Sequence, residues 1–211
     1  MADAARPRAR LGVLISGRGS NMEALARAAA TPGYPAEVAV VIANRADAAG
    51  IPIARAMGLA AEVVPHVGMG GRAGFEAALQ ARLEAHRVEI IALAGFMRVL
   101  SGDFVRRWEE RMLNIHPSLL PAFPGLDTHA RALAAGCRVH GATVHFVTPD
   151  LDDGPIIAQA CVEVEDDDTP ETLAARVLAE EHRIFPEAVA LLAAGRLSIH
   201  GRRVRRLPAE A

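Results

Sequence analysis

The chain lacks lysine altogether, so all 23 of its basic residues are arginine. A P-loop NTPase needs the lysine of its GK[ST] motif to contact the nucleotide phosphates. A pyridoxal-phosphate enzyme needs a lysine to form its Schiff base. The sequence therefore excludes both classes of protein.

Cysteine is scarce as well, with only Cys137 and Cys161 in 211 residues. They form no CxxC pair, so we expect two buried, reduced thiols and neither a disulfide framework nor a zinc site. The motifs HExxH and GxSxG are missing, as is any close cluster of cysteine and histidine. We therefore expect neither a bound metal nor a serine-hydrolase triad.

Long apolar segments are missing too. Nowhere do about 18 apolar residues follow one another, the length needed to cross a bilayer, and no apolar run follows the charged N-terminus. With a net charge of −2, the chain has no general attraction to nucleic acid or to anionic lipid. We expect a cytoplasmic protein without nucleic-acid or membrane partners, in which 51% hydrophobic residues supply the core of one domain.

The first half of the sequence alternates apolar, strand-like segments with helix-like segments. The predicted strands cover residues 10–15, 37–43, 62–64 and 88–94, and the predicted helices cover 22–30, 48–57 and 75–86. Continuous apolar strands suit a sheet that is covered on both faces. The pattern predicts an α/β fold with a doubly wound, mostly parallel sheet, helices on both faces, and ligands at the carboxyl ends of the strands.

The pattern changes after a short predicted helix at residues 103–108. We expect strands at 111–116, 141–147 and 156–164, helices at 128–135 and 169–194, and an arginine-rich edge hairpin at 197–207. These elements predict a mixed C-terminal part of the same fold.

A glycine-rich loop at residues 16–21 follows the first predicted strand. Gly17 and Gly19 permit a tight turn, and Ser20 with Glu23 has the spacing of a capping box, so free N–H groups would point out of the loop. Because the third glycine of the dinucleotide motif GxGxxG is missing, a phosphate monoester fits better than a pyrophosphate. An ordinary capped turn with nothing bound remains the alternative.

Asn114 and His116 end a predicted strand, and Pro117 follows them. Residues two apart on a strand project to the same face, so an amide donor and an imidazole would point together. Such a pair can stabilise an oxyanion and exchange a proton with nitrogen. Thr143 and His145 also share one strand face and could approach them. Alternatively, the polar groups at this strand end merely satisfy the backbone of the proline-rich loop.

Residues 150–155, Asp-Leu-Asp-Asp-Gly-Pro, form an acidic turn. A calcium loop would need a glutamate at its twelfth position, where Cys161 stands. A carboxylate of this turn close to His116 would favour the protonated imidazole and could relay a proton through water. A solvated turn that needs only Gly154 and Pro155 is the alternative.

Five segments in order along residues 11–197 carry a more specific pattern. They read VLISGRGSNMEAL, LAGFMRVLS, LNIHPSLLPAFPG, GATVHFVTPDLDDGPIIAQ and EEHRIFP. Together they closely resemble the phosphoribosylglycinamide formyltransferases, a family of folate-dependent enzymes of purine synthesis. The HPSLLP loop and the LDxGP turn are shared by the wider formyltransferase fold, whereas SGxGSN is typical of this family.

The resemblance implies a single formyltransferase domain over residues 1–211. Residues 10–110 would form its phosphate-binding half, residues 111–197 its catalytic and folate-binding half, and residues 198–211 a C-terminal tail. The implied reaction moves the formyl group of the co-substrate 10-formyltetrahydrofolate to the amine of glycinamide ribonucleotide, giving formylglycinamide ribonucleotide and tetrahydrofolate. It needs no metal. A homodimer is compatible with the sequence but is not specified by it.

The same resemblance implies a set of site residues. It assigns catalysis to Asn114, His116 and Asp152. It assigns the ribonucleotide phosphate to Gly17, Arg18, Gly19, Ser20 and Asn21, with Glu181 near the ribonucleotide. It assigns the folate to Arg72, Phe96, Met97, Arg98, Val99, Leu100 and Asn114. Asp127 stands where relatives often carry a different polar residue, whereas His129 fits their pattern.

Three other functions remain open. A formyltetrahydrofolate hydrolase would use the same three catalytic residues with water as the acceptor, but its relatives usually carry an extra N-terminal domain. A tRNA formyltransferase would need a C-terminal RNA-binding domain, for which the arginine-rich tail is too short. A phosphate- or folate-binding module with a silent site would transfer no formyl group when both ligands are present.

Overall fold

A computed structural model describes residues 7–208, which fold around one nine-stranded sheet. The strands are β1 (Ala9–Ile15), β2 (Ala36–Ala43), β3 (Ala61–Val63), β4 (Ile90–Leu93), β5 (Met112–His116), β6 (Val139–Phe146), β7 (Ile156–Glu163), β8 (Leu197–His200) and β9 (Arg203–Arg206). The helices are α1 (Ser20–Ala29), α2 (Gly50–Ala56), α3 (Arg72–Ala85), α4 (Gly102–Arg107), α5 (Thr128–Ala134) and α6 (Pro170–Ala193). Residues 209–211 of the predicted tail lie outside the described residues.

The strand order across the sheet is β3-β2-β1-β4-β5-β6-β7-β9-β8. Strands β1 to β5 pair in parallel, whereas β6 runs antiparallel to both β5 and β7. Strand β9 is parallel to β7 through one pair, Ile156 and Arg203, and β8 forms the edge antiparallel to β9. The predicted fold, doubly wound and mostly parallel with a mixed C-terminal part, is confirmed, and the edge hairpin extends the same sheet.

Hydrophobic side chains pack on both faces of the sheet because alternate residues of a strand point to opposite sides. On β1, Leu11 and Val13 lie in the cluster that α1 and α6 cover, whereas Leu14 lies in the cluster that α3 and α4 cover. All three side chains are fully buried. The apolar strands are therefore covered on both faces, as their composition predicts.

Helices α1, α2 and α3 begin two or three residues away from the expected positions, and α2 begins at Gly50 instead of residue 48. Helix α1 begins at Ser20 itself, after Gly19 in the left-handed conformation with a φ of 85°. The predicted capping box of Ser20 and Glu23 is wrong, because a residue already inside the helix cannot cap its first turn and the cap position has no side chain. Helix α3 begins at Arg72 instead of residue 75.

The two cysteines are free, as predicted, but they are not both buried. Cys161 is exposed and Cys137 is half-buried. On β7 the burial alternates, so Ala158 and Ala160 face the core while Cys161 faces outward. None of the helices in the described residues combines the length and the apolarity needed to cross a membrane.

Leu79→Ala tests the packing between α3 and the sheet. The Leu79 side chain is fully buried, so we expect the free energy of unfolding to fall by about 2–5 kcal/mol through lost apolar burial and a residual cavity. Urea denaturation followed by circular dichroism measures this loss. Leu207→Ala is the control, since that residue is 40% exposed and its change should stay below about 1 kcal/mol. Equal losses in the two variants would contradict this packing.

Candidate active site

Two adjoining cavities open where the parallel strands β1, β4 and β5 end. The first has a volume of about 750 Å³ and is lined by residues 95–100 and 148–152. The second has a volume of about 890 Å³ and is lined by the glycine-rich loop 16–21 and one face of α6. Ile115 and Pro117 line both cavities, which therefore share a wall. This is the edge of the sheet at which an α/β fold places its ligands.

Asn114 and His116 line the first cavity from the end of β5, as their spacing predicts. The carboxylate of Asp152 reaches the same point from the acidic turn, with its Oδ2 3.5 Å from His116 Nδ1. The side chains of His116 and Asp152 are only 6% and 9% exposed, so they approach each other away from bulk water. The structure thus brings together the three residues that the sequence nominates for catalysis.

Both ring nitrogens of His116 face oxygen acceptors. Nε2 lies 3.0 Å from the carbonyl oxygen of Phe123, which can only accept a hydrogen bond, and Nδ1 faces the Asp152 carboxylate. Nε2 therefore carries a proton, which it donates to the Phe123 carbonyl. Phe123 has a φ of 54°, in a region that is uncommon for a residue other than glycine. A ligand that binds Nε2 must replace the Phe123 carbonyl.

His145 orients the amide of Asn114. Its Nδ1 lies 2.9 Å from the carbonyl oxygen of Phe146, so Nδ1 carries the proton and Nε2 is left as an acceptor. The Asn114 side-chain nitrogen lies 3.2 Å from that Nε2 and donates to it. Burial lowers the pKa of His145, although the carboxylates of Asp152 and Asp153 act in the opposite direction. A neutral His145 thus fixes which way the Asn114 amide points.

Asp152 is held in a strained backbone conformation. Its φ of 51° lies in the left-handed region, which aspartate enters more readily than most residues but which remains uncommon for a residue other than glycine. Its Oδ2 accepts a hydrogen bond of 2.9 Å from the backbone N–H of Gly125. This contact joins the acidic turn to the proline-rich loop, residues 117–127, and helps to hold the strained residue in place.

Thr143 lies opposite His116 in the β5–β6 pairing, but its hydroxyl serves the backbone of the proline-rich loop. The hydroxyl donates to the carbonyl oxygen of Ser118 at 2.6 Å and accepts from the N–H of Leu120 at 3.0 Å. The structural alternative therefore holds for Thr143. His145, its neighbour on the same strand face, does reach the site.

The residues predicted to bind the ribonucleotide phosphate all line the second cavity: Gly17, Arg18, Gly19, Ser20, Asn21 and Glu181. The Asn21 side-chain nitrogen donates to Glu181 Oε2 at 2.6 Å. Burial raises the pKa of Glu181, although this hydrogen bond acts in the opposite direction. A Cβ on Gly50 would lie 3.2 Å from the Cα of Gly19 and 2.5 Å from Ile15 Cδ1. Gly50, which the sequence did not single out, therefore lets the loop close tightly.

Ser16 connects the two cavities. Its hydroxyl donates to Asn44 Oδ1 at 2.7 Å and accepts a hydrogen bond of 2.7 Å from the backbone N–H of Met97. Ser16 stands at the start of the glycine-rich loop, and Met97 belongs to the wall that the two cavities share. The two binding regions are therefore tied together through one hydroxyl.

Six of the seven residues predicted to bind the folate line the first cavity: Phe96, Met97, Arg98, Val99, Leu100 and Asn114. Apolar side chains also surround its mouth, among them Leu126 and Leu151, which are 71% and 61% exposed and which the sequence did not single out. Exposed apolar groups around a cavity mark a ligand surface. Arg72 does not reach this region, because it is the exposed first residue of α3 and lines neither cavity.

Two histidine rings meet edge to face beside the proline-rich loop, with an angle of 87° between their planes. His129 lines both cavities, while His140 lies beneath it with the two rings 5.2 Å apart. Burial lowers the pKa of His129 and lowers that of His140 to about 4, so His140 is neutral near pH 7.

Asp127 lines the first cavity and has a left-handed φ of 55°. In the part of the chain that the structure describes, no three His, Cys, Asp or Glu side chains are grouped so as to hold a metal ion.

The formyl transferase family matches residues 9–189, a range that contains β1 to β7, most of α6 and both cavities. The chain belongs to this family.

Individual relatives narrow the comparison. Phosphoribosylglycinamide formyltransferase of Escherichia coli is 43% identical over 188 residues, which are 89% of each chain. The crystal structure of glycinamide ribonucleotide transformylase 1 from Symbiobacterium toebii has a TM-score of 0.93 at 51% identity and covers 95% of each chain. The bovine trifunctional purine biosynthetic protein adenosine-3 is 48% identical over 92% of this chain, which spans only 20% of that protein. The chain thus groups with the phosphoribosylglycinamide formyltransferases.

Glu181→Gln tests the raised pKa of the buried carboxyl. Since the folded state holds a proton on Glu181 more tightly than the unfolded state, this group stabilises the fold below its ordinary value of 4.5 and loses that contribution as the pH rises through the folded value. We expect Glu181→Gln to unfold at higher urea than the parent protein at pH 8, and the difference to shrink at pH 4. A gap that grows toward low pH would contradict the raised pKa.

Proposed function

We propose that the protein transfers the formyl group of 10-formyltetrahydrofolate to the amine of glycinamide ribonucleotide, giving formylglycinamide ribonucleotide and tetrahydrofolate in purine synthesis. The observation that carries this proposal is the meeting of Asn114, His116 and Asp152 beside a wall that two cavities share. Transfer between two small molecules requires both to be held side by side. A site of one cavity would suit a single ligand instead.

In this proposal the second cavity binds the ribonucleotide. The loop from Gly17 to Asn21 leads into the N-terminus of α1, where free backbone N–H groups and the helix dipole favour a phosphate. Asn21 and Glu181 lie side by side in the same cavity and supply a donor and an acceptor for ribose hydroxyls. The amine at the other end of the ribonucleotide would then point toward the shared wall.

The first cavity binds the folate in this proposal. Residues 96–100 and the apolar rim at Leu126 and Leu151 offer a surface for a flat, largely apolar ring system. Arg98, in the same wall, is a cation available to a folate carboxylate. The formyl group would lie next to Asn114 at the end of β5.

The proposed chemistry needs two kinds of help from the protein. The amine nitrogen attacks the formyl carbon and forms a tetrahedral oxyanion, and the bond from that carbon to folate N10 then breaks. The amide of Asn114 and the protonated ring of His116 stabilise the oxyanion, with donors worth roughly 3 kcal/mol each. For His116 to donate through Nε2, the substrate replaces the carbonyl of Phe123 as the acceptor.

Asp152 serves the proton in this mechanism. Its carboxylate keeps His116 protonated and, directly or through water, passes the proton of the attacking amine to folate N10. The groups that move the proton and stabilise the charge are all side chains of this chain. In the proposed reaction both binding partners, the ribonucleotide and the folate, are small molecules, and we propose that the protein acts in the cytoplasm.

Asp152→Asn provides the test. We expect kcat to fall by about 10²-fold or more, because the amide can neither stabilise protonated His116 nor accept the proton. Ribonucleotide binding, measured by calorimetry, should change by less than about twofold, since Asp152 lies outside the second cavity. Near-normal turnover in this variant would remove Asp152 from the mechanism.

The value of kcat is measured with an absorbance assay that follows the loss of 10-formyltetrahydrofolate, and this assay includes two controls. Asp167→Asn makes the same change of charge on an exposed loop residue and should leave kcat unaltered. The parent protein is also assayed without ribonucleotide. Loss of the formyl donor at an equal rate without ribonucleotide would replace the proposed transfer with hydrolysis.

A further inference from the structure

The C-terminal hairpin, β8 and β9, contacts the acidic turn that carries Asp152. Arg202 stands at the tip of this hairpin and donates through both terminal nitrogens to the Asp153 carboxylate, at 2.9 and 2.8 Å. The contact is bidentate, so it fixes the direction as well as the distance between the two groups. Asp153 is the residue immediately after Asp152.

The hairpin that carries Arg202 is fixed to the rest of the fold by hydrophobic packing and by a hydrogen bond. Leu197, Ile199 and Val204 pack against the hydrophobic cluster under α6. Arg206 on β9 adds a hydrogen bond of 3.3 Å to the carbonyl oxygen of Ile157 on β7. The tip of the hairpin is therefore held relative to the strand that follows the acidic turn.

The acidic turn needs restraint because Asp152 is strained. On its inner side, the carboxylate of Asp152 accepts the Gly125 N–H and faces His116. On its outer side, the adjacent Asp153 accepts a hydrogen bond from Arg202. Aspartate tolerates the left-handed region better than most residues, but it holds a single conformation there only when the surrounding contacts determine it. Without the outer contact, the backbone is free to relax and to carry the Asp152 carboxylate away from the ring.

We propose that the Arg202–Asp153 pair is a positioning clamp, through which the C-terminal hairpin holds Asp152 against His116. The proposal rests on the proposed function only in so far as its effect is read as a change of formyl transfer. Arg202 and Asp153 touch neither the substrate cavities nor the reacting atoms in this role. They act through the backbone of the turn.

The exposure of the pair separates positioning from stability. The two side chains are 70% and 50% exposed, and an ion pair of that kind contributes little to the free energy of unfolding. The placement of a catalytic group is far more sensitive, since a shift of about 1 Å costs up to about 10²-fold in rate. Losing the clamp should therefore change turnover more than it changes the urea midpoint.

Steady-state kinetics of Arg202→Gln, Asp153→Asn and the double variant test the clamp. We expect each single variant to lose about fivefold in kcat with both KM values within about twofold, and the double variant to lose no more than either single one, since all three remove the same contact. The matched control is Arg205→Gln, a neighbouring exposed arginine on β9 with no ion pair among the described residues, which should keep kcat. Unchanged kcat in Arg202→Gln, equal loss in Arg205→Gln, or multiplicative losses in the double variant would overturn the proposal.

A second measurement does not depend on activity. The Gly125 amide donates to Asp152, so hydrogen exchange at that amide, followed by NMR without ligands, reports whether the carboxylate stays in place. We expect its exchange to quicken about threefold or more in Arg202→Gln and to stay unchanged in Arg205→Gln. Equal exchange rates in the two variants would contradict the clamp proposal even if formyl transfer is confirmed. Faster exchange in Arg202→Gln alone would retain it even if the formyl-transfer proposal fails.

Discussion

The carboxylate of Asp152 is the point on which the candidate site depends. One oxygen of this group receives the Gly125 N–H and faces His116, while the other lies 3.9 Å from the ring of His145. Three segments meet there: the end of β5, the proline-rich loop that directly follows it, and the acidic turn, which lies beyond β6 in the chain. A buried charge is tolerated only when such partners surround it. The contacts that offset the burial of Asp152 are therefore the same contacts that hold the three segments together.

The sheet explains why these segments can meet at all. The central strands run in parallel up to β5, and their carboxyl ends leave the glycine-rich loop and the wall at residues 95–100 on one edge. Strand β6 then reverses direction beside β5, which places His145 directly opposite Asn114. The change from parallel to antiparallel pairing is therefore what adds a second strand's side chains to the site. A wholly parallel sheet would have put a crossover helix there instead.

The fold class could be predicted from the sequence because its signals are local, whereas the catalytic set was implied only by the resemblance to a known family. The alternation of strand and helix predicts the sheet, and the spacing of Asn114 and His116 predicts their shared direction. The rest depends on where the folded backbone goes. Nothing in the sequence indicates that the Phe123 carbonyl occupies a ring nitrogen of His116, or that Arg202 reaches Asp153 across 49 residues. These are tertiary contacts, which neither spacing nor propensity encodes.

The hydroxyl of Ser16 has a further consequence for how the two cavities behave. It is a single group that both donates to Asn44 and accepts from the backbone of Met97, so a shift of this hydroxyl affects both contacts at once. Thermodynamic linkage makes any such dependence reciprocal. If a ligand in one cavity changes the affinity of the other cavity through Ser16, the second ligand changes the affinity for the first by the same factor. The total binding free energy of the ternary complex is therefore the same whichever ligand binds first.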